Sequence, residues 1–168
     1  MDLRRLTQET SRLPDSARRV PPNSISREVL ESADLCTFNW NTQEGWPMGT
    51  TVAFQWIDEK IWFSMDRSEA RVRAIRRDPR VSVVMRAPGK SMTLKGRCDF
   101  AEDLETRRVV YRATAEKVAR LTDGTLAAND YAQHLEGKGS VVFEVIPEKW
   151  IAYDGGDGSV STSPPSIP

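Results

Sequence analysis

Histidine is nearly absent: His134 is the only one among 168 residues. Cysteine is scarce too, with Cys36 and Cys98 far apart and no Cys-x-x-Cys pair. The usual zinc sites draw clustered cysteine and histidine ligands, so this sequence offers too few for one. Both cysteines lie in strand-like text and are read as reduced, buried small hydrophobes. Net charge is missing as well, since 24 basic residues balance 24 acidic ones. Bulk electrostatic binding of duplex DNA or an anionic bilayer draws on an excess of cations. Neither nucleic acid nor a membrane is expected as a partner. No run approaches the roughly 18 apolar residues that suggest a membrane span. The opening Met1-Asp2-Leu3-Arg4-Arg5-Leu6 is charged and has no apolar run behind it, so no signal sequence is read there. The expected localisation is cytoplasmic. No catalytic triad and no acid–base dyad stands out.

What is there is a chain long enough for one domain with a real core. Residues 1–22 are polar and punctuated by Pro14, Pro21 and Pro22. They are read as an arm outside the core, with a helix possible near Leu3–Ser11. Residues 157–168 offer nothing to bury and are read as a disordered tail. The domain is expected over residues 23–156. Ser24 or Ser26 is placed to cap a short helix over 26–33. Strands are expected over Leu35–Trp40, Met48–Ile57, Ile61–Met65, Val81–Arg86, Ser91–Phe100, Val141–Ile146 and Trp150–Tyr153, with turn residues between most of them. Leu104, Tyr111 and Val118 recur every seven residues beside Val110 and Leu121. That spacing predicts an amphipathic helix of roughly 18 residues behind an Asp103 cap. A shorter helix is expected over Leu126–Leu135. Strands in hairpin order with late helices give a mainly β, α+β fold, an antiparallel barrel of six to seven strands with a few peripheral helices.

The most informative segment runs from Ile61 to Val84. An aromatic strand ends at Ser64. A polar loop follows, then a short arginine-rich helix, then Asp78-Pro79-Arg80-Val81 and a β-branched strand. Hydroxyls beside a fixed cation at a strand-to-helix junction suit a phosphate group. Ser64 and Ser68 are equally readable as ordinary strand-end and N-cap hydroxyls. Arg73, Arg76, Arg77 and Arg80 share a helix face by spacing. That face is either a solvated surface with its own ion pairs or a seat for an anionic tail.

This segment resembles the cofactor-phosphate region of the pyridoxamine 5'-phosphate oxidase-like split β-barrel flavoproteins. Three further motifs extend the resemblance from about Ser24 to Gly156. They are Asp34–Asn39 followed by Glu44-Gly45-Trp46-Pro47; Ser91-Met92-Thr93-Leu94-Lys95-Gly96; and Val142–Asp154 with its Pro147-Glu148-Lys149. The resemblance implies a split barrel that pairs with a second copy and holds FMN at the homodimer interface. Some members use the deazaflavin F420 or haem instead. It sets Thr50, Thr51, Val52 and Ala53 along the flavin ring and ribityl chain, Ser64 at the Thr/Ser that contacts the cofactor, and Arg71 at the phosphate-binding cation; Ser68 is a further candidate for binding the cofactor. It sets Ser91 against the flavin, often from the other subunit, and Tyr153 beside the cofactor. Trp150 is a second aromatic for one flavin face, or a core residue. Lys95 points either at the flavin edge or at solvent. His134 is read as a helix residue without a catalytic role.

The resemblance also carries departures. True pyridoxamine-phosphate oxidases have Arg where this chain has Thr50, Lys where it has Gln55, and Arg where it has Ala70. Their C-terminal substrate-binding Arg and His have no counterpart after Gly156. These differences speak against oxidation of pyridoxamine phosphate. The activity implied is a flavin-dependent oxidoreductase acting on another small molecule. An F420-dependent reductase and a non-catalytic flavin- or haem-binding protein are the alternatives.

Overall fold

Alternation of side chains decides most of this chain. In Leu35–Asn41 (β1), Cys36 and Phe38 are buried while Leu35 and Thr37 face out. In Arg80–Ala87 (β5), Val81, Val83 and Met85 are buried, and in Lys90–Phe100 (β6), Met92, Leu94, Gly96 and Cys98 are. A period of two sets one face of each strand on a core. The computed structural model describes residues 19–162. The other strands are Pro47–Ala53 (β2), Gln55–Ile57 (β3), Lys60–Met65 (β4), Val141–Asp154 (β7) and Ser159–Thr162 (β8). They form one 8-stranded antiparallel sheet in the order β2-β1-β5-β6-β7-β4-β3, with β8 added to β7. β2 and β3 end this path at opposite sides, yet only Phe54 separates them in sequence. The sheet therefore curls back on itself as the expected split barrel.

The barrel is filled by aromatics. Phe63 and Phe143 stack at 5.4 Å, and Phe38 leans on both at 5.1 and 5.7 Å. Ser24–Ser32 (α1) packs Val29 and Leu30 into this core, and Ala70–Arg77 (α2) packs Val72 and Ile75. The cap of α1 is Asn23, whose side chain accepts from the Ser26 amide at 2.8 Å, rather than either serine. Leu104–Leu121 (α3) starts at Asp103 as expected, the carboxylate accepting from the Thr106 amide at 2.8 Å. With Ala128–Gly137 (α4) it covers a second, smaller apolar cluster: Val110, Tyr111, Leu135 and Val142, with Trp62 at its border. The buried stripe of α3 is narrower than its heptad spacing suggests. Leu104 and Leu121, at the two ends of the helix, are exposed. No helix among the described residues is long and apolar enough to cross a membrane.

Four expectations are corrected. Met48–Ile57 is not one strand: it breaks at Phe54, where β2 leaves with β1 and β3 pairs with β4. The segments 141–146 and 150–153 are not two strands but one, β7. Its register against β6 slips where Pro147 lies opposite Gly96 and Lys149 opposite Lys95, leaving Glu148 extra as a bulge. Ser159–Thr162, expected within the unstructured tail, pairs as β8 with residues 151–154 of β7. Residues 19–22, expected outside the core, lie along β7. The Val20 amide donates to the Pro147 carbonyl at 3.1 Å, the Trp150 indole donates to the Val20 carbonyl at 2.7 Å, and Arg19 pairs with the buried Glu144. The helix expected near Leu3–Ser11 and the tail after Thr162 lie outside the described residues.

Candidate functional site

The site begins where β2 and β4 part. β3 follows β4 only as far as Gln55 opposite Trp62. Beyond that point Phe63, Ser64 and Met65 keep β7 on one side and, among the described residues, have no strand on the other. The opening between them and β2 is the split of the barrel. Ser64 stands on one lip and residues 50–53 on the other. Those four do not act alike. Thr51 and Ala53 face outward with Thr37 and Leu35, whereas Thr50 and Val52 share the face of Phe38 and Cys36.

Ser64 and Arg71 share an unusual condition. Ser64 Oγ and Arg71 Nε are both buried, and among the described residues neither has a hydrogen-bond partner; Ser26 Oγ, in α1, is a third such atom. Buried polar groups in folded proteins nearly always have one. Arg71 lies in the first turn of α2, and its Nη2 pairs with Glu69 Oε2. Its side chain is only 18% exposed. Ser68 is exposed and already engaged, since its amide and hydroxyl bond Asp66 Oδ1 at 2.8 and 2.7 Å. Those bonds hold the Asp66 carboxyl below its ordinary range. The N-cap of α2 is Glu69, so the capping role read for Ser68 is corrected.

Ser91 and Tyr153 are direct cross-strand partners on the outer face of β6 and β7. β1 and β5 stand between β6 and β2. At about 4.8 Å per strand spacing, Ser91 is roughly 14 Å and Tyr153 roughly 19 Å from β2 along the sheet. Within one chain Thr51 and Ala53 lie on β2 at one side of this opening, Ser64 lies on β4 at the other, and Arg71 lies on the helix that follows β4. The same chain keeps Ser91 and Tyr153 apart from them. Trp150 is fully buried with its indole held by Val20, so it faces the core. Lys95 is exposed, and His134 is exposed on α4 with its ring stacked on Tyr131.

The arginines of the α2 region do not form one face. Arg73 donates to the Ser68 carbonyl at 2.8 Å, and Arg77 to the Asn41 carbonyl at 2.9 Å. Arg80 opens β5 and grips Asp78 with bonds of 2.8 and 2.7 Å. Arg76 lies over the Phe100 ring, 4.3 Å from its centroid.

Three features escape a reading of the sequence. Glu69 neutralises part of Arg71. Lys117, from α3, donates to the Phe54 carbonyl at 2.6 Å and lies 4.5 Å over its ring, which pins the β2–β3 corner. Burial lowers the Lys117 pKa. A cleft of about 240 Å³ gathers Arg67, Arg76 and Arg107 from three separate segments. Nothing local signals the last two, because both need the fold. The cysteines are free and buried, and burial pushes Cys36 up to about 12 and raises Cys98 as well. Neither is a ready thiolate.

Known proteins place this fold. Residues 26–154 match the family model described as pyridoxamine 5'-phosphate oxidase. No curated protein matches the chain. Among solved structures, the conserved hypothetical protein Rv2991 from Mycobacterium tuberculosis superposes with a TM-score of 0.68 at 19% identity, over 85% of this chain and 91% of that one. A heme binding protein from Mycobacterium smegmatis gives 0.63 at 19% identity, over 86% of this chain and 59% of that longer one. An F420 reductase gives 0.58 at 20% identity, over 78% and 98%. At such identities these likenesses speak for the fold alone. The family match covers most of the chain and carries the assignment: the protein belongs to the pyridoxamine 5'-phosphate oxidase family.

Proposed function

We propose that this protein is a homodimeric flavin-dependent oxidoreductase that binds FMN across the split of its barrel and acts on a small molecule other than pyridoxamine phosphate. One observation carries the reading. Ser64 Oγ and Arg71 Nε are buried donors without partners among the described residues, at the positions where the family resemblance sets a hydroxyl that contacts the cofactor and the cation that binds its phosphate. A phosphate monoester near −2 takes charge-assisted bonds from such groups. Arg is a good phosphate ligand through its planar fork. Glu69 shares that guanidinium, so the phosphate competes with a carboxylate for it.

The flavin, once bound, supplies hydride or electron transfer. The chain's own residues hold and orient it. Thr51 and Ala53 offer backbone and small side chains to the ring and ribityl chain, and Lys117 fixes the corner that sets their position. The outer face supports a second copy. Thr51, Thr37, Val84, Thr93, Ile151 and Thr162 are successive cross-strand neighbours, and none is charged. Leu35, Val84, Tyr153 and Val160 are exposed on or beside this row. Pairing two such faces covers apolar surface. It also offers Ser91 and Tyr153 of one copy to the split of the other.

The alternative of F420 with a polyanionic tail fits less well, since Arg73, Arg77 and Arg80 already hold partners of their own. The test is Arg71→Ala. FMN binding is expected to weaken by roughly 1.5–3 kcal/mol. Riboflavin, which lacks the phosphate, is expected to change little. Equal FMN affinity in a folded variant removes Arg71 from the site.

A further inference from the structure

We infer that the cleft among Arg67, Arg76 and Arg107 is a second anion-binding site, built for the phosphate or carboxylate group of a small molecule. The cleft of about 240 Å³ lies between the β4–α2 loop, α2, the end of β6, the start of α3 and the start of β7. Its cations are set in place by neutral groups. Arg67 Nε donates to the Gly139 carbonyl at 2.8 Å. Arg107 donates to Tyr111 Oη at 3.3 and 3.1 Å and to the Ser140 carbonyl at 3.4 Å. Tyr111 in turn donates to that same carbonyl. Arg76 stacks on Phe100, which leaves its N–H edges free.

Arg19, Arg27, Arg71, Arg80, Arg97, Arg108 and Arg120 each pair with a carboxylate. Arg73, Arg77, Arg86 and Arg112 have no carboxylate partner among the described residues either, but none of them lines the cleft; Arg67, Arg76 and Arg107 differ in sharing one concavity. Among the described residues, no carboxylate lies within ion-pair distance of Arg67, Arg76 or Arg107. Glu102 also borders the cleft without pairing with any of them. Like charges gathered in one concavity repel, and an anion offsets that cost. Gly139 makes the arrangement possible: with φ at 60°, its missing Cβ would stand 2.4 Å from Arg67 Nη2.

The cleft is separate from the candidate cofactor-phosphate residues. Ser64 and Arg71 do not line it, although Val142, which does, is the cross-strand partner of Ser64. On α2, Arg71 and Arg76 are five positions apart, about 140° around the axis. The inference therefore stands whether or not a flavin binds at Arg71.

The test is titration calorimetry of the intact protein at low ionic strength with inorganic phosphate and, separately, malonate. The proteins compared are the native chain, Arg76→Gln, Arg67→Gln, Arg71→Gln and, as a control, Arg97→Gln. Arg76 makes only a ring contact, so its variant is the one expected to fold normally, and a melting curve confirms it. Binding of at least one anion is expected, weakening with salt. It should fall about tenfold or more in Arg76→Gln and Arg67→Gln and hold in Arg71→Gln and Arg97→Gln. Stronger binding of phosphate than malonate assigns a phosphorylated ligand, and the reverse a carboxylate. No binding of either anion overturns the inference, as does binding unchanged in Arg76→Gln and Arg67→Gln. Loss in Arg71→Gln alone also overturns it, because the anion then sits at the cofactor locus. Loss of FMN but not riboflavin in Arg76→Gln makes the cleft the cofactor's own phosphate seat and equally overturns a separate site.

Discussion

Replacing Gly96 with alanine should damage the fold more than any single methyl normally does. Gly96 lies on the inner face of β6, opposite Pro147, where the β6–β7 register slips. A Cβ there would stand 2.4 Å from the Ile146 carbonyl oxygen and 2.9 Å from Val145 Cγ1. Ordinary carbon–oxygen contact is above 3 Å, so the neighbour must retreat by several tenths of an ångström. The valine methyl can turn, but the carbonyl belongs to the backbone of the longest strand. Overpacking of a tight core costs about 1–3 kcal/mol, and losing one ladder bond adds about 1 kcal/mol. We expect a loss of about 3 kcal/mol, or roughly 6–12 °C in Tm for a domain of this size. Urea and thermal unfolding followed by circular dichroism measure it. Gly137→Ala is the internal control. That residue ends α4, and its added Cβ meets nothing within 4 Å. It should leave stability unchanged or raise it by up to about 1 kcal/mol. If Gly96→Ala costs less than about 0.5 kcal/mol, β7 moves freely there and the account of the bulge is wrong.

Two further outcomes follow from the charges around α2. Glu69→Gln frees the Arg71 guanidinium, and FMN affinity should rise about twofold to fivefold in fluorescence titration, since a partly exposed ion pair is worth up to about 1 kcal/mol; an unchanged or weaker affinity contradicts competition between Glu69 and the phosphate. Asp78 is held below the ordinary carboxylate range first by the Arg80 side chain and against some burial. With a lowered folded-state pKa, its stabilising contribution is present above the unfolded value of about 3.9 and is lost as pH falls below it. The stability gap between the native protein and Asp78→Asn should therefore be widest near neutrality and close in acid, and a gap independent of pH refutes the assignment.

Much of this fold was legible because the relevant signals are local. Asp103 and the spacing behind it marked α3, and alternation marked β1, β4, β5 and β6. The break at Phe54 was not legible. Val52, Phe54 and Trp56 keep their alternation straight through it, and only the topology sends the halves to opposite sides of the sheet. Pro147 reads as a strand breaker, yet Gly96 opposite it leaves room for β7 to continue. β8 has no apolar pattern of its own and is held by hydrogen bonds to β7. Val20 is fixed by Trp150, 130 residues away. The same division applies to the site. Ser64 and Arg71 lie in one stretch and announce themselves. Ser91 and Tyr153 join them only if a second copy supplies them, and the Arg67–Arg76–Arg107 cleft needs three distant segments at once.

The measurement that bears most directly on the central claim is the absorbance spectrum of the purified protein after incubation with FMN and desalting. The account predicts that flavin bands stay with the protein at a stoichiometry near one per chain, and that Arg71→Ala loses them. Flavin bands that wash away from a folded native protein, or a Soret band retained after haem in their place, contradict it.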